Sequence, residues 1–295
     1  MLVNHKRSKK IDVIREINKK NRRICGNPCP FLKWAGGKRQ LLSQIDPFLP
    51  KDFEYYIEPF VGGGALFFYL LPKKAVLIDN NPFLINTYQV IKENIEELIE
   101  LLRNHKNIED YYYKIRNADR KPDFKNWSDV KKVSRIIFLN RCCYNGLYRV
   151  NSKGYFNVPF GKYKNPNFCN EVNLRAVHEI LQNVEIIHDS FERCLDFADE
   201  ETFLYFDPPY SPLSKTANFT SYTKENFNRE DQIKLKISID KLTECGCKVM
   251  LSNSSNEFIL NLYEEYSIKE VRAKRMINSN ALKRGEVKEV LILNY

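Results

Sequence analysis

The sequence predicts an α/β protein built on a doubly wound, mostly parallel sheet that carries a large helical insertion. Three observations predict it. Short apolar runs alternate with helix-forming segments over most of the chain after Phe31. The first run leads into three consecutive glycines, Gly62 to Gly64, the signature of a tight strand-to-helix turn. The stretch from Pro82 to Asn183, roughly one hundred residues, breaks the alternation and is too long for a single crossover.

Taken in order, residues 1–24 form a basic extension, KRSKKIDVIREINKKNRR at its heart. Ile11, Ile14 and Ile17 recur at helical spacing, so the extension reads either as a short cationic amphipathic helix able to touch phosphates or as a solvated tail. The first strand is expected at Tyr55–Phe60 (YYIEPF), running through the glycine turn into a helix. The second, AVLIDN at Ala75–Asn80, ends on acidic Asp79. The insertion of 82–183 is rich in helix formers to about Arg141. It then becomes a polar, aromatic, glycine-dotted segment, NGLYRVNSKGYFNVPFGKYKNP. Strands follow at Val184–Asp189 and Thr202–Tyr210, a helix at Arg229–Cys245, and a fifth strand at Lys248–Ser255 leading to a helix that Ser254 or Ser255 caps. YSIKEVRAKR and KEVLILNY read as a closing pair of strands. The domain division is therefore 25–81 with 184–295 as one domain, 82–183 as its insert, and 1–24 as the extension.

Composition narrows the function classes. The 295 residues are 43% hydrophobic and 28% charged, ordinary for a globular protein. No apolar run approaches the ~20 residues that span a bilayer, and the start MLVNHKRSKK lacks the apolar stretch of a secretory signal. A cytoplasmic protein with no membrane partner is expected. Lys and Arg number 47 against 37 Asp and Glu, for a net charge of +10. That balance suits a polyanion, nucleic acid first. The eight cysteines (Cys25, Cys29, Cys142, Cys143, Cys169, Cys194, Cys245, Cys247) lack knuckle spacing, so reduced, mostly buried thiols are expected rather than a metal site.

Two motifs carry chemistry. Glu58-Pro-Phe60-Val-Gly62-Gly-Gly64 is followed seventeen residues after Gly62 by Asp79. Glycines let a backbone approach a ligand closely, and an acidic strand end can hold ribose hydroxyls. This logic serves NAD, FAD and S-adenosylmethionine alike. It is not a phosphate-binding P-loop, since no Lys-Ser/Thr follows the glycines. The second motif, Asp207-Pro208-Pro209-Tyr210, ends an apolar strand. An aromatic amine such as adenine N6 is a poor nucleophile, because its lone pair is delocalised into the ring. Activating it takes two acceptors aimed at its two N–H bonds. The Asp207 carboxylate supplies one and the Pro208 carbonyl the other, with Pro209 fixing the backbone. Tyr210 offers a ring on which a flipped-out base can stack.

On these residues the chain resembles the Dam-type DNA adenine methyltransferases, including the modification enzymes of GATC-specific restriction systems. The resemblance runs from about Pro30 to Tyr295. It includes PFLKWAGGKRQLL, EPFVGGGALFF, IDNNP, the NGLYRVNSKGYFNVPFGKYKNP block, FDPPY, LSNSS and EVLILNY. It implies a Rossmann-like sheet with a helical target-recognition insert, S-adenosylmethionine as cofactor, and double-stranded DNA as partner, with no obligate protein partner. The implied reaction is methyl transfer to adenine N6, at GATC, in a restriction-modification or orphan role.

By the same resemblance Trp34 and Lys38 join Glu58, Phe60, Asp79 and Asp207 as cofactor contacts, with Gly62 and Gly64 lining the methionine end. The family carries an Asp immediately before the position of Phe191, against the cofactor adenine. Here Ser190 stands there and Asp189 precedes it, so the contact falls to either Asp189 or Ser190; Asp189 is assigned together with Phe191. The implied DNA contacts are Lys33, Tyr144, Asn145, Leu147, Arg149, Pro159 and Tyr163. Their chemistry suits the role. Arg149 can bond guanine O6 and N7 in bidentate fashion, Leu147 and Pro159 can meet a thymine methyl, and Tyr144 can wedge into the hole left by a flipped base. Lys33 is placed to read the outer guanine.

Three rivals fare worse. A cytosine C5 enzyme needs a thiol after a sheet strand, and Pro28-Cys29 precedes the domain. N4-cytosine enzymes usually carry Ser where Asp207 stands. A DNA-binding regulator without catalysis has no need of Asp207-Pro-Pro-Tyr.

Overall fold

A computed structural model describes residues 28–34, 36–210, 227–274 and 286–295. The basic extension with Ile11, Ile14 and Ile17, and Cys25, lie outside the described residues. In chain order the elements are β1 (Tyr55–Glu58), α1 (Ala65–Leu70), β2 (Ala75–Asp79), α2 (Pro82–Glu93), α3 (Ile95–Arg103), α4 (Glu109–Arg116) and α5 (Asp129–Cys142). They continue with α6 (Glu171–Leu181), β3 (Val184–His188), β4 (Thr202–Phe206), α7 (Arg229–Glu244), β5 (Lys248–Ser254), α8 (Glu257–Leu262), β6 (Ser267–Lys274) and β7 (Glu286–Leu293). Short 3-10 turns join several of them. No helix among the described residues is long and apolar enough to cross a membrane.

The chain forms two compact units. One gathers Lys38–Val61, Pro72–Asn80 and the described residues from Val184 onward; the other gathers the described residues of 28–37 with Gly62–Leu71 and Asn81–Asn183.

The first unit is the sheet, in the order β3-β2-β1-β4-β5-β7-β6. Strands β1 to β5 are parallel neighbours. β7 runs antiparallel between β5 and β6, so the closing strands pair as expected and one of them also completes the sheet. Expected strand ends shorten wherever proline intervenes. β1 stops at Glu58 before Pro59, and β4 stops at Phe206 rather than Tyr210, because Pro208 and Pro209 have no N–H to give a ladder. The helix cap after β5 is also different from expectation. Ser254 is still in the strand, and Asn256 caps α8, its side chain accepting from the Ile259 N–H at 2.9 Å. Helix α7 starts on a capping box, Asn228 with Asp231. It lays Leu235, Ile239 and Leu242 against Leu204, Phe206, Val249 and Leu251, all buried.

The second unit is helical. α2 and α3 pack on each other and each on α5 and α6, and α4 packs on α5. Asn81 caps α2, which opens on Pro82; Ser128 caps α5. Inside α5, the buried Arg135 pairs with Asp119 at 2.7 Å and donates to the Ile115 and Arg116 carbonyls that end α4. His105 stacks on Phe138 with ring centroids 4.4 Å apart and 10° between planes.

Candidate active site

Because β1 to β4 are parallel, they end on one edge of the sheet, and the acidic residues the sequence singled out collect there. Glu58 and Asp79 are the last residues of β1 and β2, Asp189 follows β3, and Asp207 follows β4. The order 3-2-1-4-5 reverses direction at β1, and ligands of open α/β sheets bind outside the carboxyl ends at such a reversal. Glu58 is buried, its carboxylate accepting from the Tyr56 hydroxyl at 2.8 Å. Asp79 is half-buried. Asp189 is exposed and accepts from the Ser190 N–H at 2.7 Å. Phe191 is buried and stacks on Phe60, centroids 5.4 Å apart at 24°, with Phe227 edge-on to both.

The densest chemistry lies behind β4. Lys38, buried in the helical turn Lys38–Gln40, places Nζ 2.8 Å from Asp207 Oδ1 and 4.6 Å from the centroid of the Tyr210 ring. The Tyr210 hydroxyl donates to Glu289 Oε2 at 2.9 Å, and the same oxygen lies 3.9 Å from Lys38 Nζ. The Pro-Pro turn is clamped from α7: Gln232 Nε2 donates to the Pro209 carbonyl at 3.1 Å, while Gln232 Oε1 accepts from Asn253 at 3.0 Å. Burial raises the Asp207 carboxyl above the ordinary range, opposed by the Lys38 ammonium. Burial, with Asp207 and Glu289 nearby, holds the Tyr210 phenol well above its usual value. The result is a desolvated carboxylate kept charged by one ammonium, an acceptor suited to a weakly acidic N–H.

The helical unit carries the glycines and the residues expected to contact DNA. Gly64 has φ +64°, and a Cβ there would stand 2.7 Å from the Tyr88 hydroxyl, which itself donates to the Gly62 carbonyl at 3.2 Å. Trp34 stacks on Tyr148, centroids 5.2 Å apart at 27°. Lys33 stands over the Tyr163 ring at 5.0 Å, and its backbone is gripped at both ends by the buried Asn140 side chain, which also donates to the Gly146 carbonyl. Tyr144 is 55% exposed, outside any core, and its N–H donates to the carbonyl of exposed Pro159 at 2.9 Å. Asn145 is exposed with φ +55°, and Leu147 is half-buried. Arg149 is exposed, its Nε donating to Asn157 Oδ1 at 2.7 Å across a small hairpin. Asp119 props that hairpin from below by accepting from the Phe156 N–H at 2.9 Å.

Sequence reasoning missed Glu289, Gln232, Asn140 and Asn157. Glu289 was in view as the first letter of EVLILNY, an acidic residue leading an apolar run; the other three gave no signal. The buried thiols of Cys142, Cys143 and Cys194 are pushed up to about 12, and Cys247 to about 11, chiefly by burial, which makes them poor nucleophiles at neutral pH.

The sheet and its acidic edge define a Rossmann-like methyltransferase, the class implied by the resemblance. Comparison with known proteins narrows the class. Residues 34–277 match the model of the D12 class N6 adenine-specific DNA methyltransferases. The type II methyltransferase M.MjaIII of Methanocaldococcus jannaschii is 49% identical over 90% of this chain and 99% of its own. The type II methyltransferase M1.LlaDCHI of Lactococcus lactis is 45% identical over 90% and 95%, and the DNA adenine methylase of Escherichia coli 37% over 89% and 94%. The chain belongs to the D12 class family and is an adenine-specific DNA methyltransferase.

Proposed function

We propose that the protein transfers a methyl group from S-adenosylmethionine to adenine N6 in double-stranded DNA at GATC, in a restriction-modification or orphan role. The observation that carries the chemistry is the largely buried Asp207, paired with Lys38 and followed by the clamped Pro-Pro turn at the sheet's reversal point. Bound S-adenosylmethionine supplies an electrophilic methyl on a sulfonium. The donor set fits it: Asp79 suits ribose hydroxyls, the stacked Phe60 and Phe191 suit an adenine face, and Asp189 lies beside Phe191. By the family resemblance Trp34, Lys38, Glu58, Gly62 and Gly64 are assigned to it as well.

Asp207 and the Pro208 carbonyl accept the two N–H bonds of N6 and turn its lone pair toward the methyl, while Tyr210 stacks the base. Transfer is direct, since a methyl sulfonium needs only alignment and the buried thiols are protonated. Lys33, Tyr144, Asn145, Leu147, Arg149, Pro159 and Tyr163 read and open the duplex. Their exposure supports this, although Leu147 is half-covered. The test is transfer of labelled methyl from S-adenosylmethionine to GATC duplexes and to each single-substitution variant, with sequencing of DNA from an unmethylated host expressing the protein. Methylation spread evenly over sequences, or confined to another motif, overturns the GATC assignment; a stable protein–DNA adduct through a cysteine overturns direct transfer.

A further inference from the structure

Glu289 is a carboxylate directly before the apolar half of β7, Val290–Leu293, and its side chain is only 16% exposed. A position like this is cheaper to fill with an apolar residue, because burying a charge is costly unless partners compensate it. Its partners belong to the site. β7 is the reversed strand of the sheet, so residues near its start lie level with the carboxyl ends of the parallel strands. Glu289 pairs in register with Ser254, the last residue of β5. From there its Oε2 accepts from the Tyr210 hydroxyl at 2.9 Å and lies 3.9 Å from Lys38 Nζ, whose shorter contact is to Asp207 at 2.8 Å. One ammonium thus serves two carboxylates and stands over one face of the tyrosine ring.

We propose that Glu289 is a positioning residue for methyl transfer, fixing the Tyr210 ring through its hydroxyl and sharing Lys38 with Asp207. The inference rests on the site reading above. Two consequences follow from the geometry. The ring of Tyr210 has a fixed azimuth before any base arrives, so a stacked adenine meets Asp207 at a set distance rather than over a range. In addition, the second carboxylate competes for the ammonium, so Glu289 raises the proton affinity of Asp207. Glu289 touches neither N6 nor the methyl group in this scheme; it acts through Tyr210 and Lys38.

The experiment compares Glu289→Ala, Glu289→Gln, Tyr210→Phe, Glu289→Ala with Tyr210→Phe, and Asp207→Ala in the full chain, by methyl-transfer kinetics across pH and by thermal unfolding. Glu289→Ala should lower kcat roughly ten- to a hundredfold with KM for DNA nearly unchanged. Glu289→Gln keeps an acceptor for the Tyr210 hydroxyl, so it should recover most of that loss. Having lost the charge, it should also move the acid limb of the pH profile to lower pH. Because Glu289 acts on the ring through the Tyr210 hydroxyl, which also bonds Asp207, the loss in the double variant should be smaller than the product of the two single losses. Independent, multiplying losses in the double variant would overturn the proposal. So would an unmoved acid limb in Glu289→Gln, or lower thermal stability of Glu289→Ala with wild-type kcat. If Asp207→Ala keeps its turnover in the same assay, the site reading itself fails; if it is inactive while Glu289→Ala is not impaired, only the positioning role fails.

Discussion

Asp207 in the sheet unit and Arg149 in the helical unit are the two charges on which the reading of this enzyme turns, and the fold holds them in opposite ways. Asp207 is largely buried, ion-paired to Lys38, and followed by two prolines whose backbone is clamped by Gln232. Arg149 is exposed, steadied only by bonds to Asn157 on a hairpin, one to its side chain and a longer one to its carbonyl. A group that must polarise a bond gains from low dielectric, where each interaction is stronger and no solvent need reorganise. A group that must compare base edges has to be withdrawn from water only when the right base is present. Burying it beforehand would cost its hydration whatever the sequence met. With the roles proposed above, chemistry is built into the core edge and discrimination onto a surface loop.

The largest break in this contrast is Asp207→Ala. Losing a central, desolvated acceptor should cost roughly three orders of magnitude in turnover, with DNA affinity retained because the proposed reading residues lie in the helical unit. Single-turnover kinetics and a binding titration separate the two quantities; near-normal turnover would show that the carboxylate is not the acceptor. The wild-type rate should also fall on acidification earlier than an ordinary carboxylate would dictate, because burial raises the Asp207 carboxyl and only the ionised form accepts from N6.

A second test sharpens the comparison from the helical side. His105 is stacked on Phe138 and bonded to the Tyr111 and Ser134 hydroxyls, and burial lowers its pKa from 6.5 to about 4. The folded state thus resists a proton that the unfolded state takes. Its stabilising contribution is whole above about pH 6.5 and drains away as pH falls toward 4, by up to about 3 kcal/mol. Thermal unfolding between pH 7.5 and 4.5 should show this decline, and His105→Phe should flatten it. An NMR titration placing the folded-state His105 near 6.5 would remove the basis for the effect.

The contrast also marks what the sequence could reveal. Each strand of the sheet was legible because β-branched and aromatic runs bounded by turn residues carry a local signature. The errors are local too: prolines closed β1 and β4 early, and Asn256 outcompeted Ser254 and Ser255 as a cap because the strand runs through Ser254. Asp207 and Tyr210 were readable because the prolines beside them make a motif. Glu289 was not assigned a role, since its meaning depends on Tyr210, seventy-nine positions away, and on β7 running backwards. Asn140 and Asn157 are ordinary polar residues in sequence and become clamps only where the fold brings Lys33 and Arg149 beside them. The short 3-10 turns of the helical unit carry too few residues for periodicity to register.

Within the proposed reading loop, Arg149→Ala should remove about 1–3 kcal/mol of discrimination, felt at one base pair of the target. Methylation rates on GATC and its single-substitution variants measure this. An equal slowing on every substrate would make Arg149 a phosphate contact instead.

The smallest effect is the most diagnostic of how the exposed charge is aimed. Arg149 gives its Nε to Asn157 Oδ1 at 2.7 Å, while the Asn157 N–H returns a bond to the Arg149 carbonyl at 3.1 Å. The side-chain bond, with a longer one from Nη2 to the Asn157 carbonyl at 3.5 Å, holds the Nε–Nη2 edge of the guanidinium against the hairpin; a guanine edge takes two parallel donors, so the longer contact is the one a base would displace. Asn157→Ala deletes the side-chain bond and keeps the backbone one. Arg149 then retains its charge but samples more rotamers, so general DNA affinity and its salt dependence should hold while discrimination at the Arg149 base pair falls by about 1 kcal/mol, roughly fivefold. Combined with Arg149→Ala the loss should not grow, because Asn157 has nothing left to aim. If Asn157→Ala keeps full discrimination, the guanidinium is oriented by the DNA it meets rather than by the loop that carries it. The surface charge would then be adaptable where Asp207 is rigid.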